Sequence, residues 1–115
     1  MDTQLIIFIL FLHWFADFFC QTDEMAINKS KDWVILTIHS YTYFVVLCIG
    51  IFCYGLYDFN YKPVYLFLNF PAHFIIDAIT SRINSRLYEN HRHWFFTMIG
   101  FDQFLHYVVL FLTIN

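Results

Sequence analysis

Four apolar runs alternate with polar stretches along the chain. Gln4 to Cys20 is apolar apart from His13 and Asp17, and the next twelve residues, QTDEMAINKSKD, are polar and charged. Trp33 to Tyr54 is a second apolar run interrupted by His39, closed by Gly55 and the short polar stretch Asp58-Phe59-Asn60. Tyr61 to Thr80 contains Pro71, His73 and Asp77; Ser81 to Arg92, SRINSRLYENHR, is polar again; His93 to Ile114 carries Asp102 and His106. Each run has 17–22 residues, enough for a helix to cross a hydrocarbon core of roughly 30 Å. The pattern predicts an all-α membrane protein: one domain over 1–115, with four transmembrane helices at about 4–20, 33–54, 61–80 and 93–114 in an antiparallel bundle.

Composition agrees with that class. The chain is 60% hydrophobic and 23% aromatic with only 13% charged residues, about half the charged share of a soluble domain. A cleaved signal peptide is disfavoured for the first run, because Asp2 stands where a basic region belongs and no small-residue cleavage site follows. Six Lys and Arg against a formal charge of -3 leave no basic patch for nucleic acid. Cys20, Cys48 and Cys53 show no paired spacing and read as packing residues. The basic residues set the orientation. Lys29, Lys31, Arg82, Arg86 and Arg92 lie in connections 21–32 and 81–92, against Lys62 alone on the other side. The positive-inside rule places both connections in the cytoplasm and both termini on the outer face of an inner (cytoplasmic) membrane.

Antiparallel helices bring distant positions to one depth. His13 and Asp17, His73 and Asp77, and Asp102 and His106 are each four residues apart, so each pair shares a helix face. At 1.5 Å per residue, His13, His39, His73 and Asp102 all fall roughly 9–14 Å below the cytoplasmic boundary, with Asp17 and Asp77 about a turn above and His106 about a turn below. Ionisable groups in lipid face a bundle interior and mark functional sites. Deep within the spans these acids have no Lys or Arg, and buried carboxylates need a compensating cation. Imidazole with carboxylate suits a divalent metal, zinc first and manganese or iron next, as one or two ions. Some Asp would then orient His ligands instead of binding metal.

Plainer readings apply elsewhere. One His-xxx-Asp pair alone would be an internal hydrogen bond that tightens packing; three pairs plus His39 at one depth favour a site. His91 and His93 flank Arg92 at an interface and read as headgroup contacts, Tyr41, Tyr43, Trp33, Tyr61, Tyr65 and Trp94 suit an aromatic belt or lipid contacts, and most of the sixteen Phe read as lipid-facing. Arg82 and Arg86 suit anionic headgroups.

The ordered set His13 to Asp17, Gln21-Thr22-Asp23, Met25-Ala26, Lys29, His39, His73 with Asp77, and Asp102-Gln103 with His106 resembles the small bacterial and phage membrane proteins grouped as domain of unknown function 3307. The resemblance runs essentially end to end. It implies a multi-pass membrane protein and no assigned activity. More distantly, the His and Asp placement is similar to that of membrane-bound metal-dependent hydrolases.

The leading expectation is a membrane metalloprotein hydrolysing a lipid or lipid-linked phosphate. His13, His39, His73 and His106 with Asp17, Asp77 and Asp102 would hold the metal, an Asp would act as base, and Gln21, Lys29 and Gln103 would orient substrate. A proton or metal-ion carrier is the first alternative. A non-catalytic membrane regulator with a structural His/Asp network is the second. Four short helices bury little surface, so a homodimer is also in view, although no GxxxG motif marks an interface.

Overall fold

The first apolar run does not form one uniform helix. The computed structural model describes residues 3–54 and 62–114. In it the run is an α-helix over Thr3–Trp14 (α1) that widens into a π-helical turn over Phe15–Phe19, closed by the Cys20 N–H donating to the Phe15 carbonyl at 2.9 Å. A π-turn inserts one extra residue into the helical repeat and rotates the residues after it about the helix axis. The polar stretch beyond holds a short helix, Asp23–Asn28 (α2). Thr22 caps this helix by accepting from the Met25 N–H at 3.2 Å, with Asp23 and Glu24 placed favourably in its first turn. Asp32 then accepts from the Val34 N–H at 2.8 Å as α3 (Trp33–Tyr54) begins.

The expected connection at Gly55 and Asp58-Phe59-Asn60, and the start of the third run at Tyr61, lie outside the described residues. Helix α4 spans Lys62–Leu87 and passes through Pro71, which removes one N–H from the ladder. It also continues seven residues beyond the expected boundary at Thr80. The polar residues after Thr80 mark where an apolar environment would end, but Arg82, Ile83, Arg86 and Leu87 are good or tolerated helix residues and no Gly or Pro interrupts them. Helix α5 covers Arg92–Thr113. No strand occurs among the described residues.

Three of these helices, Trp33–Tyr54, Val64–Leu87 and Arg92–Thr113, are long and apolar enough to cross a membrane; the apolar segment Thr3–Phe19 is shorter. The molecule measures 46 × 28 × 20 Å. Helices α4 and α5 pack along their length, α3 packs on α4, and α1 with its π-turn packs on α3. Ile9, Leu12, Ala16, Tyr43, Leu47, Ile51, Tyr65, Leu110 and Ile114 form the buried apolar core. Large apolar side chains also cover the outside, among them Leu112 (76% exposed), Phe67 (72%) and Phe52 (71%). That distribution would be costly in water and suits contact with lipid.

Helix α1 approaches α3 closely at Gly50. A Cβ there would run into the Leu12 side chain, which is itself buried. Gly50→Ala is therefore expected to lower the unfolding midpoint in detergent by an overpacking cost of about 1–3 kcal/mol. Leu12→Ala in the same chain should relieve part of that loss, read by circular dichroism as a non-additive double-mutant cycle. Additive losses would mean that the two side chains do not meet.

Candidate metal centre

Every long element sends a polar side chain to one buried point. The π-turn positions Asp17, α3 supplies His39, α4 supplies His73 and Asp77, and α5 supplies Asp102 and His106; all are buried. His39 Nε2 lies 3.0 Å from Asp17 Oδ1, 3.0 Å from Asp77 Oδ2 and 3.1 Å from His73 Nε2. His73 Nε2 is 3.6 Å from Asp17 Oδ1 and 3.4 Å from Asp77 Oδ2. On the other side, His106 Nε2 lies 3.2 Å from Asp77 Oδ1 and 3.4 Å from Asp102 Oδ1.

Hydrogen bonds between neutral imidazoles and carboxylates do not fully satisfy all of these contacts. A neutral imidazole Nε2 carries either one proton or one lone pair. His39 Nε2 faces two carboxylate oxygens and another ring nitrogen, so at most one of the three contacts is a donated hydrogen bond from it. That one proton cannot serve all three contacts fully, and a cation among Asp17 Oδ1, Asp77 Oδ2 and the ring nitrogens would engage the lone pairs left over. Two sets of donor atoms meet the spacing of a metal site: Asp17, His39, His73 and Asp77, and Asp17, Asp77, Asp102 and His106, with the atoms of each set within 4.8 Å of one another.

One cation is already present. Lys29, brought in at the end of α2, places its Nζ 3.2 Å from Asp77 Oδ2. Counting cations within the spans alone passes over it, because it is held in a connection. Burial alone would lower the Lys29 pKa, but Asp77, then Asp17 and Asp102, hold it above the usual lysine value, so the ammonium persists at neutral pH. Three carboxylates and one ammonium still leave two negative charges. One divalent ion or protonated histidines would balance them.

His13 belongs to neither donor set. Gln103 Nε2 donates to Asp102 Oδ2 at 2.9 Å, which turns Gln103 Oε1 toward His13 Nε2 at 2.6 Å. His13 Nε2 therefore carries the proton, and His13 Nδ1 accepts from the Tyr43 hydroxyl at 2.9 Å. Both nitrogens are engaged away from the donor sets, and Asp17 Oδ2 lies 3.7 Å off. The Thr80 hydroxyl donates to Asp102 Oδ1 at 2.5 Å. Asp102 is thus held from both oxygens.

A cavity of about 630 Å³ opens beside the cluster, with Asp17, Asp77 and Asp102 in its lining. Gln21, Lys29 and Gln103 also line it, as do Ser81 and Asn84. The buried oxygens Gln21 Oε1, Ser81 Oγ and Asn84 Oδ1 have no protein partner. Sequence reasoning does not pick out Thr80, Ser81 and Asn84, and it assigns Tyr43 and Tyr65 to a belt or lipid contact although both are buried. The signal for three of them was present: Asp77, Thr80, Ser81 and Asn84 follow helical spacing on one face, but only if α4 continues past Thr80.

The chain belongs to the DUF3307 family, described as a protein of unknown function, whose profile matches residues 5–115. Searches of curated proteins and of solved structures return no match.

Two outcomes test this geometry. Lys29→Met strands a buried carboxylate and should cost about 3–5 kcal/mol in detergent unfolding, while Lys29→Met with Asp77→Asn should cost less than the sum of the single changes. In 15N spectra of histidine-labelled protein, His13 should show a protonated Nε2 and a bare Nδ1, with the Nδ1 signal shifting in Tyr43→Phe as its donor is lost. A His13 that is bare at Nε2 would break the hydrogen-bond chain from Tyr43 through His13 and Gln103 to Asp102.

Proposed function

We propose that this protein is an integral membrane metalloprotein with four spans that hydrolyses a lipid or lipid-linked phosphate ester. The observation that carries the reading is the convergence of buried imidazole and carboxylate lone pairs beside an open cavity that also admits Lys29. Such a donor set takes zinc, manganese or iron. A divalent cation bound there would polarise a phosphoryl oxygen and acidify water. Water entering from the cavity would attack phosphorus, and the P–O bond to the alcohol would break. A proton passes from the water to a carboxylate oxygen among Asp17, Asp77 and Asp102 and on to the leaving alkoxide, while Lys29 faces the phosphoryl charge.

Orientation supports a membrane-surface substrate. The cavity opens where Lys29, Lys31, Arg82, Arg86 and Arg92 gather along the chain, the end that the positive-inside rule assigns to the cytoplasm. The carrier alternative is less well supported. Away from this end the described core is mostly apolar, with Ile9, Leu47, Ile51 and Leu110 around the Asn69–Thr113 pair, and a conduction path needs polar continuity to the far face.

Protein purified without chelator should contain stoichiometric divalent metal by elemental analysis. It should also release phosphate from a phospholipid monoester in mixed micelles, with Asp77→Asn lowering turnover at least about 10²-fold. Absence of metal would overturn the metalloprotein reading. Metal without phosphate release, together with cation flux into proteoliposomes, would favour the carrier.

A further inference from the structure

Six side chains converge, and two of them serve both donor sets. Asp17 and Asp77 are common to the group with His39 and His73 and to the group with Asp102 and His106. Asp77 divides its two oxygens between the groups, while Asp17 joins both sets within 4.8 Å without such a division. Asp77 presents Oδ2 to His39 and His73 and Oδ1 to His106. One carboxylate thus faces two imidazole groups with different oxygens. Asp17 presents Oδ1 to His39 and His73 and keeps Oδ2 toward the His13 side.

The geometry points to two metal ions bridged by Asp17 and Asp77, one completed by His39 and His73 and the other by Asp102 and His106, with His13 binding neither. This deepens the metalloprotein reading and rests on it. A single tetrahedral ion uses four ligands and would leave two of the six buried groups held by hydrogen bonds alone, whereas two ions use all six. Carboxylate-bridged ions in hydrolytic sites stand about 3.5–4 Å apart, a separation that the two oxygens of one carboxylate can span.

Charge assigns the remaining role. Two divalent ions against three carboxylates leave one positive charge before Lys29 is counted. Lys29 would then be repelled from Asp77 Oδ2, and the cavity it lines would hold an excess of positive charge. An anion is the ligand that this excess selects, and a phosphate group has the charge and the oxygens to meet both ions and the ammonium.

The test is metal counting on the full chain in detergent, loaded with Mn2+ or Zn2+ and desalted. Two equivalents per chain are expected, with exchange coupling between paired Mn2+ ions in the electron paramagnetic resonance spectrum. His39→Gln and His106→Gln should each reduce the count to one and abolish the coupling, while His13→Gln should keep two equivalents. One equivalent in the unmodified protein, or two without coupling, overturns the bridged pair and leaves the metalloprotein reading standing. Zero equivalents overturns both. Because the unmodified protein gives the deciding count, the result holds even if a variant fails to fold.

Discussion

Three carboxylates enclosed by apolar helices must be compensated, and the rest of the structure is arranged around that requirement. Asp17, Asp77 and Asp102 are buried within 4.8 Å of one another through at least one oxygen each. Three ionised groups at that spacing in a low-dielectric interior would repel strongly. Each compensating contact comes from a different part of the chain. Lys29 arrives through a capped helix in a connection, Thr80 and Gln103 fix Asp102, and His39, His73 and His106 bring polarisable nitrogen. The Thr22 cap therefore matters beyond α2, because it fixes where that helix begins and so positions the turn that delivers Lys29.

The bundle reverses the arrangement of a soluble domain. Its largest exposed side chains are Phe and Leu, while His13, His39, His73 and Asp77 are almost fully enclosed. Helix association in lipid gains little from apolar burial and relies on close packing and interhelical hydrogen bonds. Both devices are visible here. Gly50 admits Leu12 where α1 meets α3, and in the other half Asn69 of α4 donates to Thr113 of α5 at 2.8 Å. The polar cluster itself ties α1, α3, α4 and α5 together, so the site and the fold are not separable.

Much of this was legible in the sequence. Apolar run lengths identify the long helices, and counting rise along antiparallel spans brings His13, His39, His73 and Asp102 to one depth, although His13 joins neither donor set and Asp17 joins both. That count set Asp17 and Asp77 a turn to one side of the layer and His106 a turn to the other, yet all three reach it. The reason is the tilt of the Cα–Cβ bond toward each helix N-terminus. In the π-turn after α1 and in α4, running one way, it leans Asp17 and Asp77 toward the layer; in α5, running the other way, it leans His106 toward the same plane, and side-chain length covers the rest. Three features were not legible. The π-turn at Phe15–Phe19 leaves no mark in hydropathy, the pairing of Lys29 with Asp77 depends on the tertiary path of a connection although Lys29 itself is read as a site residue, and the extension of α4 past Thr80 is hidden because hydropathy reports the environment and not the helix.

The position of the cluster between a mostly apolar core and an open cavity limits what the protein can act on. On one side, Leu47, Ile51, Leu110 and Ile114 pack in the core, with the Asn69–Thr113 pair among the buried polar groups there. On the other, Gln21, Lys29, Ser81 and Asn84 meet Phe18, Ile27 and Phe95 around the same cavity. A ligand that fits such a lining carries a charged or hydrogen-bonding group at the carboxylates and apolar surface beside it. Small hydrophilic ions would leave the aromatic and aliphatic walls uncovered, and a purely apolar molecule would leave Gln21 Oε1, Ser81 Oγ and Asn84 Oδ1 without partners. An amphiphile satisfies both sets of contacts. Its head would approach the buried donors while its chain remained among the exposed apolar faces of the helices.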